Sequence, residues 1–285
     1  MPRYRYVPQG GVESLFGKNT TDDLQELYEA WKNSPELSTK NTDFFPTYSS
    51  LLSKYRNKRC TVVEIGVLDG GSLFMWRKWL GKEARIVGID LNPQAKKWES
   101  AGFEIKIGDQ ADQNFLNSVF QQLGEYDILI DDGGHLLHQQ IVTVITALNN
   151  LKREANIIIE DTHTSFMKSF QSNHQPTFLD FVKDITDILI ARQVLNIQDD
   201  DSLRTEFPEQ INKAAINTFS SVESIQFFPG IVCLHCNPER RNLGLLVRNK
   251  QEVVKNVDFR YRGMKGIKVD WPYAFKEAKK AIKVE

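Results

Sequence analysis

Hydrophobic positions along this chain follow two different spacings, and the spacing changes near residue 60. Ahead of that point apolar residues recur at helical spacing over 22–31 and again over 45–55. Beyond it, short runs rich in Val and Ile alternate with spacers of helix length, which is typical of parallel strands buried on both faces. The predicted strands are 60–65, 85–91, 103–107, 126–130 and 155–159. Five such units predict a doubly wound α/β sheet with helices on both faces.

The pattern breaks after Glu160 and resumes as two further strands, 224–228 and 231–235. Gly230 separates them, so we expect an antiparallel pair at the edge of a mostly parallel, seven-stranded sheet. The long spacer predicts a helix over 178–195 and a wall of the substrate pocket. The expected domains are an N-terminal helical lid, the α/β domain with its substrate-side insertion, and a C-terminal tail or helix: 1–45, 46–250 with 162–220 inserted, and 251–285.

Composition narrows the possible partners. Of the 285 residues 41% are hydrophobic and 26% are charged, and the formal net charge is −1, which is ordinary for a globular protein. The chain lacks the basic excess of a surface that binds phosphate backbones, so no nucleic-acid partner is expected. Three cysteines are too few for a disulfide framework, and there is neither a secretory signal nor a run long enough to span a membrane. We therefore expect a cytoplasmic protein with no membrane partner.

A glycine-rich turn follows the first predicted strand, in the sequence Val-Glu-Ile-Gly-Val-Leu-Asp-Gly-Gly-Ser over 63–72. Glycines there let the backbone turn sharply and approach a ligand. A dinucleotide fingerprint would need glycine where Glu64 and Asp69 stand. The turn instead matches the Glu-x-Gly-x-x-x-Gly loop of class I methyltransferases, which cradles the methionine part of S-adenosylmethionine.

Two more polar positions follow the next two strands. Asp90 closes the second strand, where an acidic side chain can accept hydrogen bonds from both ribose hydroxyls. Asp109 and Gln110 follow the third strand, where class I methyltransferases usually contact the adenine amino group. Either aspartate alone could simply be a helix N-cap, but three such features at successive strand ends favour a cofactor site.

Acidic residues also follow the fourth and fifth strands. Asp131 and Asp132 end one strand and Glu160 and Asp161 end the next, so Asp132, Glu160 and Asp161 can converge. Carboxylates at such short separations repel one another unless a cation lies between them. Hard oxygen ligands favour Mg²⁺ or a similar ion. Asp131 is expected to orient the turn, although the two aspartates could exchange roles.

His135 lies three residues after Asp132 on a glycine-rich turn. An imidazole that titrates near neutrality suits the deprotonation of a hydroxyl, which makes His135 the candidate general base, with Asp132 beside it. The alternative is that Asp131 and Asp132 cap a turn and His135 is an ordinary helix residue.

These motifs together resemble the macrocin O-methyltransferase family, the metal-dependent sugar O-methyltransferases of macrolide and related natural-product pathways. The resemblance extends over about 40–240 and rests on Asn41-Thr42-Asp43 through Tyr48, Glu64 to Ser72, Met75-Trp76-Arg77, Gly108-Asp109-Gln110, Asp132-Gly133-Gly134-His135 and Glu160-Asp161. It implies a Rossmann-like class I methyltransferase that uses S-adenosylmethionine and Mg²⁺, with Asp132, Glu160 and Asp161 as metal ligands and His135 as the base. The residues expected at the cofactor are Glu64, Gly66, Gly70, Ser72, Asp90, Asp109, Gln110 and Asp131.

The chain departs from that family at two positions. The family usually has Ser where Gly134 stands and commonly Asp where Glu160 stands, so the longer Glu160 side chain would reach the ion differently or leave it to Asp161. A sugar hydroxyl is the acceptor that the resemblance implies, and a phenol or another alcohol is the alternative. An NAD-dependent oxidoreductase and a non-catalytic binding protein are the other hypotheses. The aromatic N-terminus suits a homo-oligomer.

Overall fold

The predicted seven-stranded sheet is confirmed by the structure, a computed structural model that describes residues 15–17, 20–170, 176–195 and 213–240. The predictions for 1–14, 244–248 and 251–285 lie outside these residues. The strands are β1 (Cys60–Ile65), β2 (Ala84–Asp90), β3 (Glu104–Ile107), β4 (Ile128–Asp131), β5 (Ala155–Ile159), β6 (Val222–Phe228) and β7 (Ile231–Cys236).

The strand order is β3-β2-β1-β4-β5-β7-β6. Strands β1 to β5 pair in parallel, β7 pairs antiparallel with β5, and β6 pairs antiparallel with β7 at the edge. The predicted antiparallel pair around Gly230 is thereby confirmed. The chain winds outward in opposite directions from β1 and β4, and ligands in such sheets bind at this switch point, beyond the carboxyl ends of the strands.

Helices cover both faces of the sheet. They are α1 (Asp22–Lys32), α2 (Phe44–Leu52), α3 (Gly71–Leu80), α4 (Gln113–Leu123), α5 (Leu137–Asn149), α6 (Phe178–Leu195) and α7 (Lys213–Thr218). Helix α6 has the predicted bounds. Among the described residues no helix combines the length and the apolar character that crossing a membrane requires.

Strand β1 shows how one strand serves two cores. All six of its residues are buried, and successive side chains point to opposite faces. Val62 joins the core that packs under α1, α2 and α3, whereas Val63 and Ile65 join the core that packs under α4, α5 and α6. A strand buried on both faces does not alternate between apolar and polar residues, and β1 is apolar except for Thr61 and Glu64.

Polar contacts connect the N-terminal helix α1 to α3 and to Arg56. The indole N–H of Trp79 donates to the carbonyl of Asp23 at 2.9 Å, and the guanidinium of Arg56 contacts the carboxylates of Asp23 and Glu26. The segment 33–43 then runs past the start of α3, where Gly71 donates its N–H to the carbonyl of Leu37 at 3.2 Å. This contact brings the following residues to the carboxyl edge of the sheet.

Candidate active site at the carboxyl edge

The ends of four strands lie level with one another. Ile65 is opposite both Ile89 and Asp131, and Asp131 is opposite Ile159. The ladder continues one residue further, because Asp132 donates its N–H to the carbonyl of Ile65 at 2.9 Å and Glu160 donates to that of Asp131 at 2.9 Å. The strand-end residues that the sequence singled out therefore meet along one edge.

A cavity of about 530 Å³ opens at this edge, within the range of small-molecule sites. It is lined by Thr39, Ile65, Gly66, Leu68, Ile89, Asp90, Leu91, Gly108, Asp109, Gln110, Asp132, Gly133, Gly134, His135, Gln139 and Asp161. One end is formed by the glycine turn and the second and third strand ends. The other end carries the acidic residues and His135.

Two positions of the turn require glycine because neighbouring groups approach their Cα atoms closely. Gly66 has φ +94°, and a Cβ there would lie 2.1 Å from the carbonyl oxygen of Asp132. Gly70 has φ +84°, and a Cβ there would lie 2.5 Å from the ring of Trp98. Side chains would thus collide with the fourth strand end and with a buried indole, which explains glycine at both positions.

The carboxylate of Asp90 holds the same turn in place. Its Oδ2 accepts the backbone N–H groups of Val67 at 2.8 Å and Leu68 at 3.0 Å, and its Oδ1 accepts that of Asn92 at 2.7 Å. Leu68 has φ 48° and is exposed. Asp90 therefore lines the cavity and fixes the shape of the loop beside it.

The residues predicted at the cofactor fall into two groups. Those that line the cavity are Gly66, Asp90, Asp109 and Gln110, and those that lie behind its wall are Glu64, Gly70, Ser72 and Asp131. Glu64 is fully buried, and its Oε2 accepts the hydroxyl of Ser72 at 2.8 Å. Its Oε1 is buried without a hydrogen-bond partner. The roles of all eight in binding a cofactor stay predictions.

Asp131 and Asp132 face different surroundings. Asp131 is 1% exposed and accepts the amide of Gln110 at 3.1 Å and the N–H of Gly133 at 3.2 Å. Burial raises the pKa of Asp131. Asp132 instead lines the cavity. Of the two alternatives that the sequence left open, this geometry favours Asp132 as the residue that meets a ligand.

A possible cation site lies at the acidic end of the cavity. One ligand atom each from Asp132, His135 and Asp161 lies within 4.8 Å of the others. Two of the three predicted metal ligands and the predicted base thus come together, and their oxygen and nitrogen donors suit a divalent cation. Glu160 is outside this group in the described structure, and the metal role of all three carboxylates stays a prediction.

Glu160 instead contacts Lys40, a residue that the sequence analysis missed. The ammonium Nζ lies 2.9 Å from both carboxylate oxygens of Glu160 and 2.6 Å from Oδ2 of Asp132. The hydroxyl of Tyr48 also donates to Glu160. A single lysine in a polar segment is usually a surface residue, so no local pattern marked it. The only signal was its position at the start of the stretch that resembles the family.

Charges in this cluster shift one another's pKa. Burial, followed by repulsion from Asp132, raises the pKa of Glu160 to about 8. Burial also raises the pKa of Glu64 to about 7. For Lys40 burial works in the opposite direction, but attraction to Asp132, Glu160 and Glu64 outweighs it and raises the pKa. The raised pKa values of the two glutamates indicate that one ammonium does not balance this cluster, so an additional cation would favour their ionised forms.

The backbone at the acidic end adopts an uncommon conformation. His135 has φ 57° and Asp161 has φ 52°, both in the left-handed region. Their side chains meet, with Nε2 of His135 3.4 Å from Oδ2 of Asp161. Non-glycine residues in this region are often found at functional sites. The left-handed backbone at His135 and at Asp161 thus accompanies a direct approach of the imidazole to the carboxylate.

Several curated relatives match part of this chain. A mycinamicin VI 2''-O-methyltransferase of Micromonospora griseorubida is 31% identical over 201 residues, which are 65% of this chain and 49% of the relative. An 8-demethyl-8-alpha-L-rhamnosyl tetracenomycin-C 2'-O-methyltransferase of Streptomyces olivaceus is 26% identical over 194 residues, 65% of this chain and 47% of the relative. A demethylmacrocin O-methyltransferase of Streptomyces fradiae is 31% identical over 159 residues, 51% of this chain and 40% of the relative.

The resemblance to macrocin-type sugar O-methyltransferases is confirmed for the matched part of the chain. The chain spans about half the length of the first two of these relatives. No protein-family model matches it.

Solved structures confirm the fold class. The MycE methyltransferase of the mycinamycin biosynthetic pathway, solved in complex with Mg, S-adenosylhomocysteine and mycinamycin VI, superposes with a TM-score of 0.61 at 22% identity. The match covers 79% of this chain and 55% of that one. A second structure of the same protein, with Mg and S-adenosylhomocysteine, gives a TM-score of 0.62. The described domain has the Rossmann-like fold of class I methyltransferases.

Proposed function

We propose that this protein is an S-adenosylmethionine-dependent O-methyltransferase that transfers a methyl group to a hydroxyl of a small molecule, a sugar moiety of a natural product. The observation that carries the proposal is that the glycine turn and the group Asp132, His135 and Asp161 line the same cavity. Relatives named as methyltransferases of rhamnosyl tetracenomycin and of mycinamicin support the sugar acceptor.

The residues present fit both groups that this chemistry needs. For the cofactor, Gly66, Asp90 and Asp109 line the cavity, and we propose that Asp90 contacts the ribose and Asp109 the adenine. For a divalent cation, the ammonium of Lys40 shows that the space between Asp132 and Glu160 accepts a positive charge. We propose Asp132, Glu160 and Asp161 as the metal ligands and Mg²⁺ as the ion.

When bound, the cofactor would supply an already activated methyl group and the metal would make the acceptor hydroxyl more acidic. His135 would accept the proton of that hydroxyl. Its Nε2 lies 3.4 Å from Oδ2 of Asp161, whereas Nδ1 is buried without a hydrogen-bond partner, so a proton taken up at Nε2 would have a carboxylate beside it. Asp161 orients the imidazole and stabilises its protonated form. The cavity walls align the acceptor for in-line displacement.

A methyl-transfer assay tests the proposal. Labelled S-adenosylmethionine is incubated with deoxysugar-bearing macrolides and aromatic polyketides, and transfer is followed by mass spectrometry. We expect transfer that EDTA abolishes and Mg²⁺ restores. Transfer that continues unchanged in EDTA would contradict the metal requirement, and absence of transfer to every hydroxyl acceptor would contradict the function.

Other expectations from the sequence are part of this proposal. The lid role of 1–45, the pocket-wall role of 162–220, a cytoplasmic location, a homo-oligomer and the lack of a nucleic-acid partner stay predictions. The described part of the lid region supplies Thr39 to the cavity wall. Sedimentation velocity would test the oligomer.

A further inference from the structure

The ammonium of Lys40 is the central charge of a carboxylate cage. The Lys40 side chain is 2% exposed, and Nζ contacts Asp132 at 2.6 Å, Glu160 at 2.9 Å and Glu64 at 3.9 Å. Glu64 and Glu160 are themselves fully buried. An ammonium is tolerated at such depth only when carboxylates pair with it, and the carboxylates likewise need a cation.

The cage is short of positive charge. Three carboxylates surround one ammonium, and the carboxylate of Asp161 lies next to Asp132 in the cation site. This number of carboxyl groups around a single ammonium suits a divalent cation. The cage therefore attracts such an ion to the place where Lys40 already lies.

Lys40 and a divalent ion would compete for Glu160. Both oxygens of Glu160 accept hydrogen bonds from Lys40, and Tyr48 donates to one of them. Ion-to-oxygen distances of about 2.1 Å would place an ion on Glu160 no more than roughly 5 Å from Nζ. Two cations at this separation repel each other, and a buried site holds little water to screen them. This repulsion favours occupation of the cage by one cation at a time.

Of the groups in the cage, Lys40 is the one that lies outside the strands and their ends. Asp132 and Glu160 have backbone hydrogen bonds at adjacent strand ends. Lys40 has a four-carbon stem and lies in the segment 33–43, which is neither helix nor strand. Its neighbour Thr39 lines the cavity, so this segment borders the cavity.

We propose that Lys40 and a divalent cation occupy this cage in turn. Lys40 holds Asp132 and Glu160 together in the metal-free protein, and it withdraws toward the cavity when the ion takes Glu160 as a ligand. This inference rests on the metal site of the proposed function. It makes Lys40 a positioning residue that keeps the ligands assembled while no ion is bound.

Calorimetry with Mg²⁺ alone tests the exchange. Lys40→Met removes the competing charge, so Mg²⁺ should bind about 10-fold more tightly or better. Lys54→Met is the matched control, because Lys54 is half exposed and pairs with Glu154 away from the cage. Its affinity for Mg²⁺ should equal that of the wild type. Unchanged or weaker binding by Lys40→Met would overturn the proposal.

A measurement on the wild-type protein keeps the proposal testable if that variant does not fold. Lysine acetylation read by mass spectrometry should leave Lys40 protected in EDTA and make it reactive at saturating Mg²⁺, while Lys54 reacts equally in both. Saturated binding with Lys40 still protected would overturn the exchange alone. No Mg²⁺ binding to the wild type would overturn both the exchange and the metal site, and S-adenosylhomocysteine binding would show separately whether the cofactor site stands.

Discussion

The imidazole of His135 lies between a carboxylate and an aromatic ring. Its Nε2 is 3.4 Å from Oδ2 of Asp161, and its ring centroid is 6.2 Å from that of Phe170. These contacts fix the ring while Nδ1 stays without a hydrogen-bond partner. A base held in this way is already oriented before the acceptor arrives, so it has little conformational freedom to lose during the reaction.

Replacing His135 should separate catalysis from cofactor binding. We expect His135→Ala to lower kcat by about 10² to 10⁴ because the acceptor hydroxyl loses its base. The affinity for S-adenosylhomocysteine should change little, since the residues proposed to bind the cofactor at Gly66 and Asp90 follow β1 and end β2, whereas His135 follows β4. His138→Ala is the control, because His138 is exposed on α5. Wild-type turnover in His135→Ala would remove the base assignment.

Single residues show where prediction from sequence stops. Asp132 and His135 could be placed at the cavity because a predicted strand end fixed their position. Lys40 could not be placed, because it lies in a segment without periodicity and meets Asp132 and Glu160 across 92 and 120 residues of chain. Contacts of that kind depend on the tertiary fold, and no local spacing encodes them.

Strands and helices could be predicted because their buried residues give the sequence a regular spacing of apolar positions. Strand β1 and helix α6 have the predicted bounds, and their apolar runs serve the cores on the two faces of the sheet. The second strand differs by one residue at each end, which is within the usual disagreement on element boundaries. The packing of α1 against α3 was not predicted, since it depends on polar contacts such as that of Trp79 with Asp23.

Two glycines with nearly equal φ angles allow the cost of steric contact in the glycine-rich turn to be measured. Gly70 has φ +84° and its added Cβ would collide with Trp98, whereas Gly102 has φ +83° and open space. Gly102→Ala should lower the free energy of unfolding by about 1 to 2 kcal/mol through the backbone angle alone. Gly70→Ala should cost about 1 to 3 kcal/mol more because the start of α3 has to move away from the indole.

Urea denaturation of both variants measures this difference. Equal losses would mean that the turn relaxes without strain and that contact with Trp98 does not fix its shape. A larger loss in Gly102→Ala would contradict the steric argument outright.

For the whole molecule, the buried carboxylates make stability depend on pH. Burial raises the pKa of Glu64 to about 7, so the folded protein binds this proton more tightly than the unfolded chain, whose glutamates titrate near about 4.3. The stabilisation is complete below that value and is lost as the pH rises through 7.

Glu64→Gln cannot lose a proton. Its free energy of unfolding relative to the wild type should therefore rise by about 2 to 3 kcal/mol between about pH 5 and about pH 8, measured by urea denaturation in EDTA. A difference that stays constant over this range would show that Glu64 is ionised throughout.

Also at this scale, the account depends on one cavity that holds S-adenosylmethionine at its glycine-rich end and presents a divalent cation and His135 at the other. Asp90 belongs to the glycine-rich part, because it lines the cavity and accepts the N–H groups of Val67 and Leu68. Asp69 lies on the same turn and is exposed. Replacing each with alanine compares a cavity carboxylate with a surface one.

Calorimetry with S-adenosylhomocysteine tests whether this cavity binds the cofactor. We expect binding by the wild type and by Asp69→Ala, a loss of affinity of about 10-fold or more in Asp90→Ala, and no binding of NADH. Binding of NADH without binding of S-adenosylhomocysteine would contradict the proposed function and favour an NAD-dependent oxidoreductase.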